Sequence, residues 1–245
     1  MKRNETFERM CYLCRTIIYR EKMHHPLELF KYCPECGSAD FHVKDEKSKR
    51  CSACGFVYYF NSSAATVAFI LNAKGELLVC RRAKEPKKGT LDLTGGFIDR
   101  FETAEQGVAR EVLEETGLEV TETKYLFSLP NTYLYSGFLV HTLDLFFACQ
   151  VKDEEALQAM DDVADSFWMP LDEIRPEEFG LDSVREGVKR FLMEHNQAKK
   201  KMRKRIGWII VALMAVSLNG AAQQVLSSDV AGDKEYAKVC REYEL

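Results

Sequence analysis

Three glutamates, at positions 111, 114 and 115, follow a Gly-Gly turn within "GGFIDRFETAEQGVAREVLEETGL", the stretch Gly95–Leu118. Thr103 and Gln106 have the spacing of a capping box, which starts a helix near Ala104. Gly117 is placed to end it. At helical periodicity Glu111, Glu114 and Glu115 fall within an arc of roughly 100°. Val108, Ala109, Val112 and Leu113 are assigned to the neighbouring arc, so the carboxylates border the buried face. Three carboxylates this close repel one another, which raises their pKa values unless something compensates. A divalent cation with a preference for oxygen ligands, magnesium or manganese, removes that repulsion. The competing reading is a solvated face on which Arg110 and Glu114 form an i,i+4 ion pair worth about 0.2–0.5 kcal/mol.

A chain of 245 residues is long enough for one domain of ordinary size and a small appendage. Hydrophobic residues make up 46% and charged residues 29%, the balance of a globular protein. A net charge of -4 gives no support to broad nucleic-acid binding, although local basic stretches remain. The N-terminal "MKRNETFERMCYLCRTII" has no uninterrupted apolar core and makes a poor secretory signal. A cytoplasmic location is therefore predicted, and there paired cysteines act as metal ligands before they act as disulfides.

Nine cysteines are present. "CPECG" at Cys33–Gly37 and "CSACG" at Cys51–Gly55 are two CxxC turns, with fourteen residues between Cys36 and Cys51. Each ends in glycine, which adopts the positive φ such a turn requires. Four thiolates in a tetrahedron suit Zn2+ and leave no open position for a substrate, so Cys33, Cys36, Cys51 and Cys54 are assigned to folding. Cys11 and Cys14 form a further CxxC without a second pair and are expected to be free thiols. Cys80 and Cys149 lie in apolar runs and are expected in the core.

The chain divides into an N-terminal extension over 1–26, a zinc ribbon over 27–62, an α/β domain over 63–198 and a tail over 199–245. "ATVAFILN" and "ELLVCRR", joined by "AKG", have the pattern of a hairpin. "KYLFSLPNTYLYSG" is aromatic and turn-rich, "LDLFFACQV" is a strand, and "LDSVREGVKRFLMEHN" is a helix that closes the domain. In the tail, "KKKMRKR" precedes the uncharged "IGWIIVALMAVSL" and the small residues Gly220 and Ala222. This order matches a secretory signal beginning at Met202. A C-terminal membrane anchor with a basic flank and a buried helix are the alternatives.

Gly96, Glu102 and the run Arg110-Glu111-Val112-Leu113-Glu114-Glu115-Thr116-Gly117-Leu118 together resemble the complete Nudix box, with every specified position present. The resemblance implies an α/β/α sandwich with a mixed sheet, in which the box forms a loop–helix–loop. It implies hydrolysis of a nucleoside diphosphate linked to another group, with Mg2+ or Mn2+ held by Glu111, Glu114 and Glu115 and by the carbonyl of Gly95. Glu102 and Arg110 would brace the loop against the helix, and the general base stays open among the carboxylates. Asp165 is the expected acidic ligand from a later loop, with Asp161 and Asp162 as competitors.

A four-cysteine ribbon before such a domain is similar to the NADH pyrophosphatase branch of that family. Tyr59 matches an aromatic of the branch that stacks on the substrate base. The branch motif SQPWPFPQS corresponds to "SLPNTYLYS" here: Ser128, Pro130 and Ser136 agree, while Leu129 and Asn131 replace glutamine and tryptophan. Tyr133, Tyr135, Phe97 and Phe127 are expected either to line a base pocket or to pack in the core. Thr94 stands where the family usually has proline. The expected substrate is a dinucleotide such as NADH or NAD, or an ADP-ribose-type compound, cleaved to nucleoside monophosphates by a homodimer. The alternatives are a nucleotide-sensing or RNA-binding regulatory module and a membrane-tethered protein.

Overall fold

The computed structural model describes residues 25–158 and 163–219. Cys11, Cys14, Asp161, Asp162, Gly220 and Ala222 lie outside the described residues. The described chain falls into two compact units. The first runs to Ser62 and includes Ser136–Leu139; the second comprises Ser63–Tyr135 and the chain from Val140 onward.

The first unit contains an antiparallel sheet in the order β1 (Phe41–Asp45), β2 (Ser48–Cys51), β3 (Val57–Tyr59). Gly37 and Gly55 close the two CxxC turns at φ of 74° and 79°, and their N–H groups donate to the carbonyls of Cys33 and Cys51 at 2.9 and 3.0 Å. The buried core is little more than Cys33, Phe41 and Cys51, with Phe56 packed against them. An apolar cluster this small needs a covalent or metal staple to hold a fold.

The second unit is built on two three-stranded sheets. In one, β4 (Ser63–Ile70) pairs in parallel with β8 (Phe138–Val151), and β8 neighbours β7 (Val120–Tyr135). In the other, β5 (Glu76–Arg82) lies between β6 (Leu91–Asp92) and β9 (Val163–Pro170), antiparallel to both. The helices are α1 (Ala104–Thr116) and α2 (Asp182–Asn219). Alternation along the strands serves both faces of the sandwich. Val67, Phe69 and Phe146 share one core with Val184 and Val188 of α2, whereas Ala68, Ile70 and Phe147 share the other with Val108 and Val112 of α1. This is the mixed-sheet α/β/α arrangement expected from the sequence.

Three local expectations change. The runs joined by "AKG" enter different sheets, and the backbone bridge between them is Leu71 with Leu77. "KYLFSLPNTYLYSG" is one long strand with its turn only at the end, where Ser136 and Gly137 adopt φ of 50° and 75°. Pro130 is tolerated because β7 is an edge strand, where a missing N–H breaks no inner ladder. The closing helix continues through the basic run as part of α2, and among the described residues no helix is long and apolar enough to cross a membrane. Cys80 and Cys149 are buried as expected.

Candidate active site

The capping box forms as its sequence requires. Thr103 Oγ1 accepts from the Gln106 N–H at 3.2 Å, and Gln106 Oε1 accepts from the Thr103 N–H at 2.9 Å. Gly117 ends α1 in the left-handed region at φ 71°. The buried face of α1 holds Gly107, Val108, Val112 and Thr116, while Leu113 is exposed. Glu111 and Glu115 thus sit within the inward arc, not at its border, and Leu113 lies opposite. The helix has rotated two carboxylates inward because the chain segment facing them is glycine.

That segment is Thr94–Ile98, which lies along β4. Thr66 N–H donates to Gly96 O at 2.8 Å, Ala68 N–H to Thr94 O at 2.8 Å, and Ile98 N–H to Ala64 O at 3.1 Å. A Cβ at Gly95, whose φ is 153°, would stand 2.0 Å from the Thr66 carbonyl oxygen. A Cβ at Gly96 would stand 2.5 Å from the Glu111 carboxyl carbon. The two glycines therefore do different work: the first lets the loop lie on β4, and the second lets Glu111 approach the loop. Gly95 N–H donates to Glu115 Oε2 at 3.1 Å, tying the far end of the helix to the same turn.

Arg110 joins the acids. Its Nε and Nη2 donate to the two oxygens of Glu102 at 2.9 and 3.0 Å, and Nη2 also reaches Phe97 O at 2.9 Å. Nη1 donates to Glu111 Oε1 at 2.8 Å and to Glu114 Oε2 at 2.9 Å. Glu102 also accepts from the Asp99 N–H at 2.9 Å. The Arg110 hydrogen bonds hold the Glu102 carboxyl below the usual carboxylate range. Glu111 moves the other way: burial raises it, against the pull of Arg110. The arrangement can hold acids in a set geometry and present oxygen atoms to a cation.

A cavity of about 470 Å³ opens beside this turn, within the range of small-molecule sites. Gly95, Gly96, Phe97 and Glu115 border it, as do Tyr133 and Tyr135. Asp165 does not line it; it is exposed on β9, in register with Arg81. Ser128 and Pro130 lie earlier on β7 and are also absent from the lining, and Phe127 is in the core. Tyr59 belongs to the first unit, where its hydroxyl accepts from Lys44 Nζ at 3.1 Å.

The cavity lining also includes polar residues without an assigned role in the sequence: Arg82, Asp92, Asn131, Thr142 and Asp144. Arg82 forms an ion pair with Asp92, and burial raises Asp92 despite that partner. Asp144 accepts from Thr142 Oγ1 and Ser183 Oγ, each at 2.5 Å, and the Asn131 side chain lies beside it. Burial raises its pKa against the lowering effect of Ser183, Thr142 and Asn131. Desolvation, followed by the Asp144 charge, raises Tyr133. Asn131 is only 6% exposed, and its Oδ1 has no hydrogen-bond partner among the described residues. An orphaned buried acceptor of this kind costs about 1–3 kcal/mol. The available signals were an aspartate inside the apolar run "LDLFF" and an asparagine in place of an aromatic.

In the first unit, the sulfurs of Cys33, Cys36, Cys51 and Cys54 lie within 4.8 Å of one another. The Cys33–Cys54 and Cys36–Cys51 sulfur pairs are each 3.7 Å apart. A tetrahedron with metal–sulfur bonds of about 2.3 Å has edges of roughly 3.8 Å, so the donor set fits a four-thiolate ion. The thiols differ before any ion binds. The Cys54 N–H, the largest influence on Cys51, lowers it to about 7. At Cys54 the Phe56 N–H also lowers the pKa, but burial and the neighbouring sulfurs outweigh it and push the value up to about 12.

A glutamate helix braced by arginine, set on a glycine turn beside a cavity, thus sits within an α/β/α sandwich. The NUDIX domain model matches residues 61–191, more than half of the chain, and the protein belongs to that family. Among curated proteins the chain is 28% identical over 154 residues to the NAD-capped RNA hydrolase NudC of Vibrio vulnificus, covering 62% of this chain and 55% of that protein. It is 29% identical over 157 residues to the enzyme of the same name from Haemophilus influenzae, covering 64% and 57%. The chain thus spans little more than half the length of these relatives. A NUDIX hydrolase from Nitrosomonas europaea has the same fold, with a TM-score of 0.55 at 20% identity over 68% of this chain and 93% of that one.

Proposed function

We propose that this protein hydrolyses the pyrophosphate bond of a nucleoside diphosphate derivative. The reading favours a dinucleotide (NAD or NADH), cleaved by water to two nucleoside monophosphates, or an ADP-ribose-type compound, cleaved to a nucleoside monophosphate and a sugar phosphate. The observation that carries it is the placement of Glu115 and the Gly95–Phe97 turn on the lining of the cavity that also holds Tyr133 and Tyr135. A diphosphate at the glycine turn would leave a nucleoside within reach of the tyrosines. The reading is supported by the name of the curated relatives, NAD-capped RNA hydrolase.

Glu111, Glu114, Glu115 and the Gly95 carbonyl are the proposed holders of Mg2+ or Mn2+. Bound there, the ion would neutralise phosphoryl charge and acidify a water. Asp165, exposed on β9 in register with Arg81, is the proposed acidic ligand from outside the helix. Arg110 and Glu102 keep the loop and the helix in register, and the partly buried position of Glu111 favours a cation beside its carboxylate. The four cysteines are proposed to hold a structural Zn2+, and a homodimer is the expected assembly.

The test is turnover of NADH, NAD, ADP-ribose and nucleoside triphosphates by the purified chain with magnesium, beside Glu115→Gln. Cleavage at the pyrophosphate that collapses by about 10²-fold or more in the variant is expected. Turnover of none of these substrates, or equal rates in both proteins, would overturn the reading.

A further inference from the structure

Helix α2 outlasts the core that it covers. Leu192 is the last of its residues packed against a core cluster among the described residues. The helix nevertheless runs on to Asn219. Beyond Leu192, the exposed positions include Lys199, Lys200, Lys201, Met202, Lys204 and Ile206.

Charge and hydropathy divide this extension sharply. Residues 199–205 carry six Lys or Arg in seven positions, in a chain whose net charge is -4. No acidic residue stands between Glu194 and Asp229. The ion pairs within α2, Arg185 with Asp182 and Arg190 with Glu194, lie before the basic run. Residues 206–218 carry no charge, and at helical periodicity their apolar positions fall on every side of the axis.

A helix that is apolar all round requires an apolar medium, either a protein core or hydrocarbon. The cations at its edge choose between the two. A second copy laid alongside in parallel would set one cation cluster against the other. Anionic lipid headgroups instead offer matching charge at the border of an apolar layer. Thirteen helical residues rise roughly 20 Å, less than the roughly 30 Å of a hydrocarbon core, so they enter the layer without crossing it. Trp208 stands three residues after Arg205, at the level where indole rings are enriched between headgroups and acyl chains.

We propose that residues 199–218 of α2 dock the protein on a bilayer surface rich in anionic lipid, with the basic run at the headgroups and residues 206–218 inserted in one leaflet. The basis is separate from the hydrolase reading, and so is the measurement.

The experiment is co-flotation of the purified full chain with vesicles of phosphatidylcholine alone, and of phosphatidylcholine mixed with phosphatidylglycerol. Partition into the mixed vesicles should exceed that into the neutral ones by about tenfold or more, because several cations act together at the surface. Raising the salt concentration should weaken it. Replacing Lys199, Lys200, Lys201 and Lys204 together by glutamine should bring partition down to the neutral level. These four are exposed and do not line the cavity, so the melting temperature should stay that of wild type. Insertion has its own readout. Mixed vesicles should shift tryptophan emission to the blue, and the shift should vanish in Trp208→Phe, where Trp168 on β9 is the remaining indole.

Equal partition into both kinds of vesicle, no partition into either, wild-type partition by the glutamine variant, or binding without a Trp208 shift would overturn the proposal. A soluble assembly through this segment that binds no vesicle would overturn it as well and assign the helix to a protein partner.

Discussion

Arg110 and Glu102 meet through two parallel hydrogen bonds, Nε to Oε1 at 2.9 Å and Nη2 to Oε2 at 3.0 Å. The remaining donor, Nη1, is divided between Glu111 and Glu114. One guanidinium thus fixes the loop that carries Glu102 and the helix that carries the other acids. A flat, five-donor group is required for this, and an ammonium cannot replace it.

Arg110→Lys should therefore lower kcat by about 10- to 100-fold, the scale on which small displacements of reacting groups act. Substrate affinity should change much less. Steady-state kinetics on the best substrate measures the split, and an unchanged kcat would mean that the two-point contact does not position the acids.

Gly95→Ala and Gly96→Ala should fail in different ways. The first sets a Cβ against the backbone of β4, which cannot yield cheaply, so the loss should appear as a lower melting temperature. The second sets a Cβ against the end of the Glu111 side chain, which can swing aside. That variant should melt near wild type yet lose most of its activity. Thermal melts and turnover on the same preparations separate the two outcomes.

Asp144 gives a pH dependence with a defined sign. Burial raises its pKa above the ordinary value of 3.8. Between those two values the native state binds more protons than the unfolded chain, so this contribution to stability is fully present below 3.8 and is lost as pH rises through the folded pKa. Asp144→Asn removes the titration. The stability difference, variant minus wild type, should become more positive as pH rises from about 4, by up to 1.4 kcal/mol per unit within that window. Urea titrations at several pH values measure it, and a flat difference would contradict it.

Cys51→Ser should release zinc and unfold the first unit, because the apolar core around Cys33, Phe41 and Cys51 is too small to hold alone. Elemental analysis of the purified variant checks occupancy, and retention of one zinc per chain would remove the four-thiolate assignment.

Gly187→Ala tests the packing of α2. A Cβ there would lie 2.4 Å from the ring of Phe146, which is fully buried. Overpacking of this kind costs about 1–3 kcal/mol. Denaturant unfolding should show that loss with no change in metal content.

The sequence by itself determined the elements whose signals are local. The cap at Thr103 and Gln106, the stop at Gly117, the two CxxC turns and the spacing of the glutamates are short-range facts, because each is settled by backbone and side-chain groups a few residues apart. Only the tertiary structure decided which face of α1 turns inward, since that depends on Gly95 and Gly96 lying along β4 and leaving room for Glu111. It likewise decided that "SLPNTYLYS" is one edge strand, because its partner β8 follows it in the chain and the pairing, not the propensity, straightens it. Asn131, Thr142, Asp144 and Ser183 converge from two strands and a helix. No spacing in the sequence records that meeting. A buried polar group is found by asking where its hydrogen bonds go, and the answer lies in residues distant along the chain.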